Sequence, residues 1–297
     1  MSGSLLPTPY ADVNAVLAHF LTQIRAVLGD HFRGMYLDGS LALGDFNPET
    51  SDIDFIVTTD EALSDDRFLA LRAMHARFNA GDSPWATEVE AVYLPENAFR
   101  CSKPETVPHL RIERGDKVLV KGHSDSTWIT HWFIIREHRV VVAGPDPRLI
   151  IDPVDPQDLR CAMADLADLW LTALRRNHER LQLRGPLTYT VLTLCRMLYT
   201  LRWGVVTSKP QAARWAQHVQ DGHWSPLIER ALAWRKEPAR QDPVSEEESR
   251  DTLALLAYTV EQCRNLGRSP TRPEPLWAPL LGRTWWRCIA YCSPCSG

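Results

Sequence analysis

Residues 33–60 read Arg33-Gly-Met-Tyr-Leu-Asp-Gly-Ser-Leu-Ala-Leu-Gly-Asp-Phe-Asn-Pro-Glu-Thr-Ser-Asp-Ile-Asp-Phe-Ile-Val-Thr-Thr-Asp60. The pattern predicts a strand, a Gly-Ser turn, a loop and a second strand. Gly34 to Leu37 is a short apolar run, broken by Gly39-Ser40. Gly44, Asn47 and Pro48 are loop residues. Asp52-Ile-Asp-Phe-Ile-Val57 then alternates before turning apolar, as a strand entering a core does.

That alternation has a chemical consequence. Side chains two apart in a strand share a face, so Asp52 and Asp54 project together and Ile53 and Phe55 project the other way. Paired carboxylates repel unless a cation lies between them, and hard oxygen donors select Mg²⁺. Gly39 lets the backbone approach a bulky anion, and Ser40 adds a hydroxyl and an N–H donor. A lone Asp-x-Asp is commonly a pair of solvated strand-end charges. The whole set decides otherwise: Gly39-Ser40, eleven intervening residues, Asp52-x-Asp54, then an apolar strand. It outlines a phosphoryl- or nucleotidyl-transfer site.

Outward from this stretch, Thr8-Pro9 reads as the cap of a helix carrying Val13, Val16, Leu17, Phe20, Ile24 and Leu28, stopped at Gly29. Residues 61–79 are predicted helical, with Phe68, Leu71, Met74 and Phe78 on one side. Thr87 to Pro95 reads as a strand in which Glu88 and Glu90 share a face. Residues 96–127 read as irregular, with Lys117–Val120 as a short strand. His131 and His138 have no companion Cys/His cluster and read as buried, hydrogen-bonded histidines rather than metal ligands.

Pro145, Pro147, Pro153 and Pro156 crowd residues 143–157 and mark the domain boundary. Five helices are predicted beyond it. The first runs from Asp155-Pro156 to about residue 181, and the second from Thr188 to Trp203, ended by Gly204. The third opens at Pro210, the fourth at Ser225-Pro226, and the fifth at a Ser245/Glu248 capping box. The expected fold is α+β: a mixed sheet with helices over residues 1–150, a helical bundle over 151–267, and an unstructured tail over 268–297. Three cysteines of the tail, Cys288, Cys292 and Cys295, lack the fourth ligand a zinc site needs.

The composition is that of an ordinary globular protein, 44% hydrophobic and 24% charged. No apolar run reaches a membrane span, and the amino terminus lacks the features of a signal peptide, so the expected compartment is the cytoplasm. Seven cysteines, an odd and scattered set, exclude a disulfide framework. The formal net charge of −4 conceals an acidic first hundred residues, net −9, against a remainder of net +5. No basic stripe marks a nucleic-acid partner, and a monomer is expected.

Residues 33–60 resemble the catalytic domain of the nucleotidyltransferase superfamily, the type shared with DNA polymerase β. Arg136-Glu137-His138, Val140 to Gly144-Pro145 and Asp152-Pro153-Val154 extend the likeness. Leu192-Thr193-Leu194-Cys195-Arg196 and Ser208-Lys209-Pro210 narrow it to the bacterial aminoglycoside adenylyltransferases that modify streptomycin and spectinomycin. The resemblance spans residues 15–266 and implies ATP as co-substrate, two Mg²⁺ ions on Asp52 and Asp54, and an aminoglycoside acceptor. It also implies a glutamate at the start of an apolar strand as general base. Glu90, followed by Ala-Val-Tyr-Leu, fits best, and Glu88 stays as the alternative. Arg196 and Lys209 fall where the resembling enzymes bring cations from the helical domain to the ATP phosphates, with the nucleotide between the halves.

One departure bears on the acceptor. The resembling enzymes carry acidic residues just before the arginine-bearing helix, whereas Arg180 to Leu187 here is basic and has none. Trp85, Trp128, Trp132 and Trp170 are either pocket lining or core. The competing functions are nucleotidyl transfer to another small molecule, a protein or RNA, and a catalytically silent nucleotide-binding regulator.

Overall fold

The computed structural model describes residues 6–100, 108–176, 178–237 and 241–266. The expected tail, residues 268–297 with its three cysteines, lies outside the described residues. Two compact units divide the described residues, one made of those up to residue 46 with those of 51–154, the other of those from residue 155 on with 47–50.

In the first unit, α1 (Ala11–Leu28) leads into β1 (Phe32–Leu37), α2 (Gly39–Leu43), β2 (Ile53–Thr59) and α3 (Asp65–Asn79). There follow β3 (Val89–Pro95), β4 (Pro108–Ile112), β5 (Val120–His123), α4 (Ile129–His138) and β6 (Val141–Ala143). The six strands form one mixed sheet in the order β5-β4-β3-β2-β1-β6. Only β2 and β3 run parallel, because α3 supplies the crossover between them.

Strand alternation sorts the core into two layers. Ile53, Phe55, Val57, Val89, Ala91 and Tyr93 pack with Val13, Leu17, Phe20 and Ile24 of α1 and with Leu71 and Met74 of α3. Ile56, Val92 and Leu94 face the other way, against Trp128, Trp132 and Ile135. Asp54 and Glu90 have the parity of this second face, so they stand at the strand starts on the side that α4 covers.

The second unit contains α5 (Pro156–Arg176), α6 (Arg184–Trp203), α7 (Lys209–Ala216), α8 (Ser225–Trp234) and α9 (Glu246–Leu266). Their shared core includes Leu159, Trp170, Leu187, Val191, Leu194, Ile228, Leu255 and Val260. Gly204 ends α6 in the left-handed conformation. The capping box is formed: Glu248 N–H donates to Ser245 Oγ at 3.2 Å, and Ser245 N–H donates to the Glu248 carboxylate at 2.7 Å.

The structure departs from the expectations in several places. Gly39-Ser40 opens a five-residue helix rather than a turn. Thr8 does not cap α1; its hydroxyl is held by the Asn14 side chain, and the cap position is Tyr10. Residues 108–123 are not irregular but supply two strands, and β5 begins at Val120 rather than covering Lys117–Val120. Their short sequences, such as His109-Leu-Arg-Ile112, carry too few alternations to stand out before pairing. The first helix of the second unit ends at Arg176, and a separate 3₁₀ turn spans His178–Gln182. All four singled-out tryptophans, Trp85, Trp128, Trp132 and Trp170, are buried and belong to the core.

Candidate active site

Parallel pairing builds the site. The β2–β3 register places Asp54 directly beside Glu90. Asp52, immediately ahead of β2, keeps the parity of Asp54. The carboxylate oxygens of Asp52, Asp54 and Glu90 consequently lie within 4.8 Å of one another. Glu88 does not join them. It precedes β3, its carbonyl accepts from Ile53 N–H at 2.9 Å, and its carboxylate pairs with the Arg114 guanidinium. Glu90 instead accepts from the backbone N–H of Arg114 at 3.2 Å.

The cluster is electrostatically loaded. Burial, then the charges of Asp52 and Glu113, push the Glu90 carboxyl up to about 8. Burial, then Asp52, Glu90 and Asp38, raise the Asp54 carboxyl well above the ordinary range. Without a cation, the neighbouring Asp54 and Glu90 carboxylates disfavour each other's charge, so the pair favours holding a proton. A divalent cation removes the need for that proton. The donors are all hard oxygens, converging and short of positive charge, and this fits Mg²⁺.

Gly39, the residue before Ser40, lies against the Asp54 carboxylate. The Asp38 N–H donates to the Asp54 carbonyl at 3.0 Å, which ties the start of α2 to β2. Gly39 has φ +55°, and a Cβ there would sit 1.9 Å from Asp54 Oδ2. Only glycine therefore fits beside the carboxylate. Ser40 Oγ is buried and has no hydrogen-bond partner among the described residues. His131 is not a buried core histidine: its Nδ1 pairs with the buried Asp38 carboxylate while much of its ring is exposed. His138, also expected to be buried, is exposed at the end of α4.

Arg196 and Lys209 belong to the second unit. Arg196 is a half-buried residue of α6. Lys209 opens α7 after its Ser208 cap, and its ammonium lies 4.1 Å from the centroid of the Tyr189 ring. The basic Arg180–Leu187 segment, whose Arg184 opens α6, is partly neutralised, since Arg184 pairs with Glu237 and Asp242.

Sequence reasoning missed Arg114. Its contribution to Glu90 is a backbone N–H, which no side-chain pattern reveals. The available signal was the turn sequence Glu113-Arg-Gly-Asp116.

Residues 22–100, which take in β1 to β3, match the nucleotidyltransferase domain. Residues 149–260 match the aminoglycoside adenylyltransferase C-terminal domain. The chain is 27% identical over 264 residues to an aminoglycoside (3'') (9) adenylyltransferase of Escherichia coli, covering 84% of this chain and 93% of that protein. It is 27% identical over 230 residues to the enzyme of that name from Shigella flexneri, covering 72% and 84% of the two chains. Its fold is similar to a spectinomycin adenyltransferase from Enterococcus faecialis, solved with ATP and spectinomycin. The TM-score is 0.63 at 16% identity, over 84% of this chain and 99% of that one. With a nucleotidyltransferase match over the sheet strands and an adenylyltransferase match over the helices, the chain is a nucleotidyltransferase similar to the aminoglycoside adenylyltransferases.

Proposed function

We propose that the protein transfers AMP from ATP to a hydroxyl group of an aminoglycoside-type antibiotic of the streptomycin or spectinomycin kind, and thereby gives resistance. The observation that carries this reading is the convergence of Asp52, Asp54 and Glu90 beside Gly39 and Ser40. The names of the similar proteins supply the acceptor class.

Asp52 and Asp54 hold Mg²⁺, two ions by this reading. The bound metal supplies charge neutralisation at the triphosphate and polarisation of its α-phosphorus. Gly39 allows the phosphates close to the backbone, and Ser40 offers its hydroxyl to them. Glu90 accepts the proton of the acceptor hydroxyl. The hydroxyl oxygen then bonds to the α-phosphorus, the bond to the bridging β-phosphate oxygen breaks, and pyrophosphate leaves with that electron pair. Arg196 and Lys209 are the cations this reading assigns to the triphosphate charge.

Glu88 is the weaker base on this reading, because its carboxylate is engaged by Arg114. Glu90→Gln tests the assignment. The single-turnover chemical step should fall by at least about 10²-fold, while ATP affinity changes little. A fully active Glu90→Gln enzyme would remove the base.

The basic Arg180–Leu187 segment favours a second reading, in which the same chemistry serves another hydroxyl acceptor. A silent regulator would have no use for three carboxylates in repulsive proximity.

A further inference from the structure

The turn between β4 and β5 has no place in the chemistry so far, yet it reaches the site. Glu113 to Asp116 is closed on itself: Asp116 N–H donates to the Glu113 carbonyl at 2.9 Å, and Glu113 N–H donates to the Asp116 carboxylate at 3.3 Å. Asn79 at the end of α3 donates to the Asp116 carbonyl at 2.8 Å. Gly115, at φ +79°, donates its N–H to the Thr87 carbonyl at 2.7 Å. Thr87 itself has φ +66°, a conformation a β-branched residue rarely adopts. The chain entering β3 is thus held in a strained shape where the turn grips it.

Two bonds from one residue then reach the two glutamates. The Arg114 guanidinium, 18% exposed, pairs with the Glu88 carboxylate. The Arg114 backbone N–H donates to Glu90 Oε1 at 3.2 Å. The β3–β4 ladder ends at Ala91 and Ile112, so no sheet bond holds the turn at the level of Glu90. Beyond it, the Gly115–Thr87 backbone bond and the Glu88–Arg114 pair together hold the turn to the chain entering β3.

We infer that Arg114 and Glu88 form a clamp that aims the general base: the ion pair fixes the turn, and the Arg114 N–H fixes Glu90 Oε1, leaving Oε2 for the acceptor proton. Arg114 and Glu88 are positioning residues, and the inference rests on the reading of Glu90 as the base. A carboxylate held at one oxygen keeps a single approach to the hydroxyl, and small displacements of such a group cost rate steeply.

Substitution at Arg114 leaves the backbone N–H in place and removes the guanidinium end of the clamp. Arg114→Ala, Glu88→Gln and the double variant should each slow the single-turnover chemical step about tenfold, a modest misplacement. The double variant should be no slower than either single one, because both remove one interaction. ATP affinity should stay within about twofold, since Asp52 and Asp54 are untouched. Arg114→Lys should recover most of the rate. Glu90→Gln is assayed alongside. If it stays active, the base assignment and the clamp fall together. If it is inactive, the clamp alone is overturned by an unchanged chemical step in Glu88→Gln, by additive losses in the double variant, or by ATP affinity falling in step with the rate.

Discussion

Replacing Gly39 by alanine should inactivate the enzyme through a single methyl group. The Cβ would lie 1.9 Å from Asp54 Oδ2 and 2.7 Å from Asp54 Cγ. Ordinary contact starts near 3.5 Å, so the carboxyl must retreat by roughly 1.5 Å. It has little room, being half-buried with the Asp52 and Glu90 carboxylates within 4.8 Å. A displacement of about 1 Å at a reacting centre can cost on the order of 10²-fold in rate. The backbone adds a separate effect, since alanine at φ +55° costs about 1–2 kcal/mol. Gly44 separates the two. It has φ +71° and nothing within 4 Å of its own Cβ position, so Gly44→Ala carries comparable backbone strain without the clash. Both variants should lose a few degrees of Tm. In a pyrophosphate-release assay with ATP, Mg²⁺ and an accepted antibiotic, Gly39→Ala should lose at least about 100-fold and Gly44→Ala no more than about threefold. Retention of over a tenth of the activity by Gly39→Ala, or equal losses in both, would refute the reasoning.

The remaining expectations follow from the same geometry. Asp52→Asn and Asp54→Asn should each abolish turnover without unfolding the chain, because each removes a metal-holding charge from a mutually repulsive set. Mg²⁺ should raise the Tm of the unmodified protein, chelation should reverse the rise, and Asp54→Asn should abolish it; a persisting rise would place the ion elsewhere. His75 gives a pH dependence. Burial pushes its imidazole down to about 3, with Tyr93 Oη 2.7 Å from Nε2. The folded state holds it neutral, whereas the unfolded state takes up a proton near pH 6.5. Its contribution is therefore complete above about pH 6.5 and is lost as pH falls toward 3. His75→Gln, which keeps a partner for Tyr93, should flatten this acid-side loss in denaturant midpoints; parallel curves for the two proteins would contradict it.

Residues whose role is set by local periodicity were legible in the sequence. Asp52 and Asp54 follow from strand alternation, the α9 cap from Ser245 and Glu248, and the end of α6 from Gly204. What depends on pairing between distant strands was not. The β2–β3 register, which sets Glu90 opposite Asp54, and the Arg114–Glu88 pair are what support proposing Glu90 rather than Glu88 as the base. Neither can be read from Thr87-Glu-Val-Glu90 alone. Asp38 and His131 are 93 residues apart and meet only because α4 packs against α2, which Asp38 caps. The β4 and β5 strands were hidden because short segments with one or two inward residues carry no measurable period.

The central claim is that this chain moves an adenylyl group onto an antibiotic hydroxyl using the carboxylates at the start of β2 and β3. Mass spectrometry tests it most directly, on a panel of aminoglycosides incubated with ATP, Mg²⁺ and either the unmodified protein or Asp54→Asn. The account predicts that at least one compound of the streptomycin or spectinomycin kind gains one adenylyl group with the unmodified protein, and none does with Asp54→Asn. Unmodified antibiotics across the whole panel, or the same product from Asp54→Asn, would contradict it.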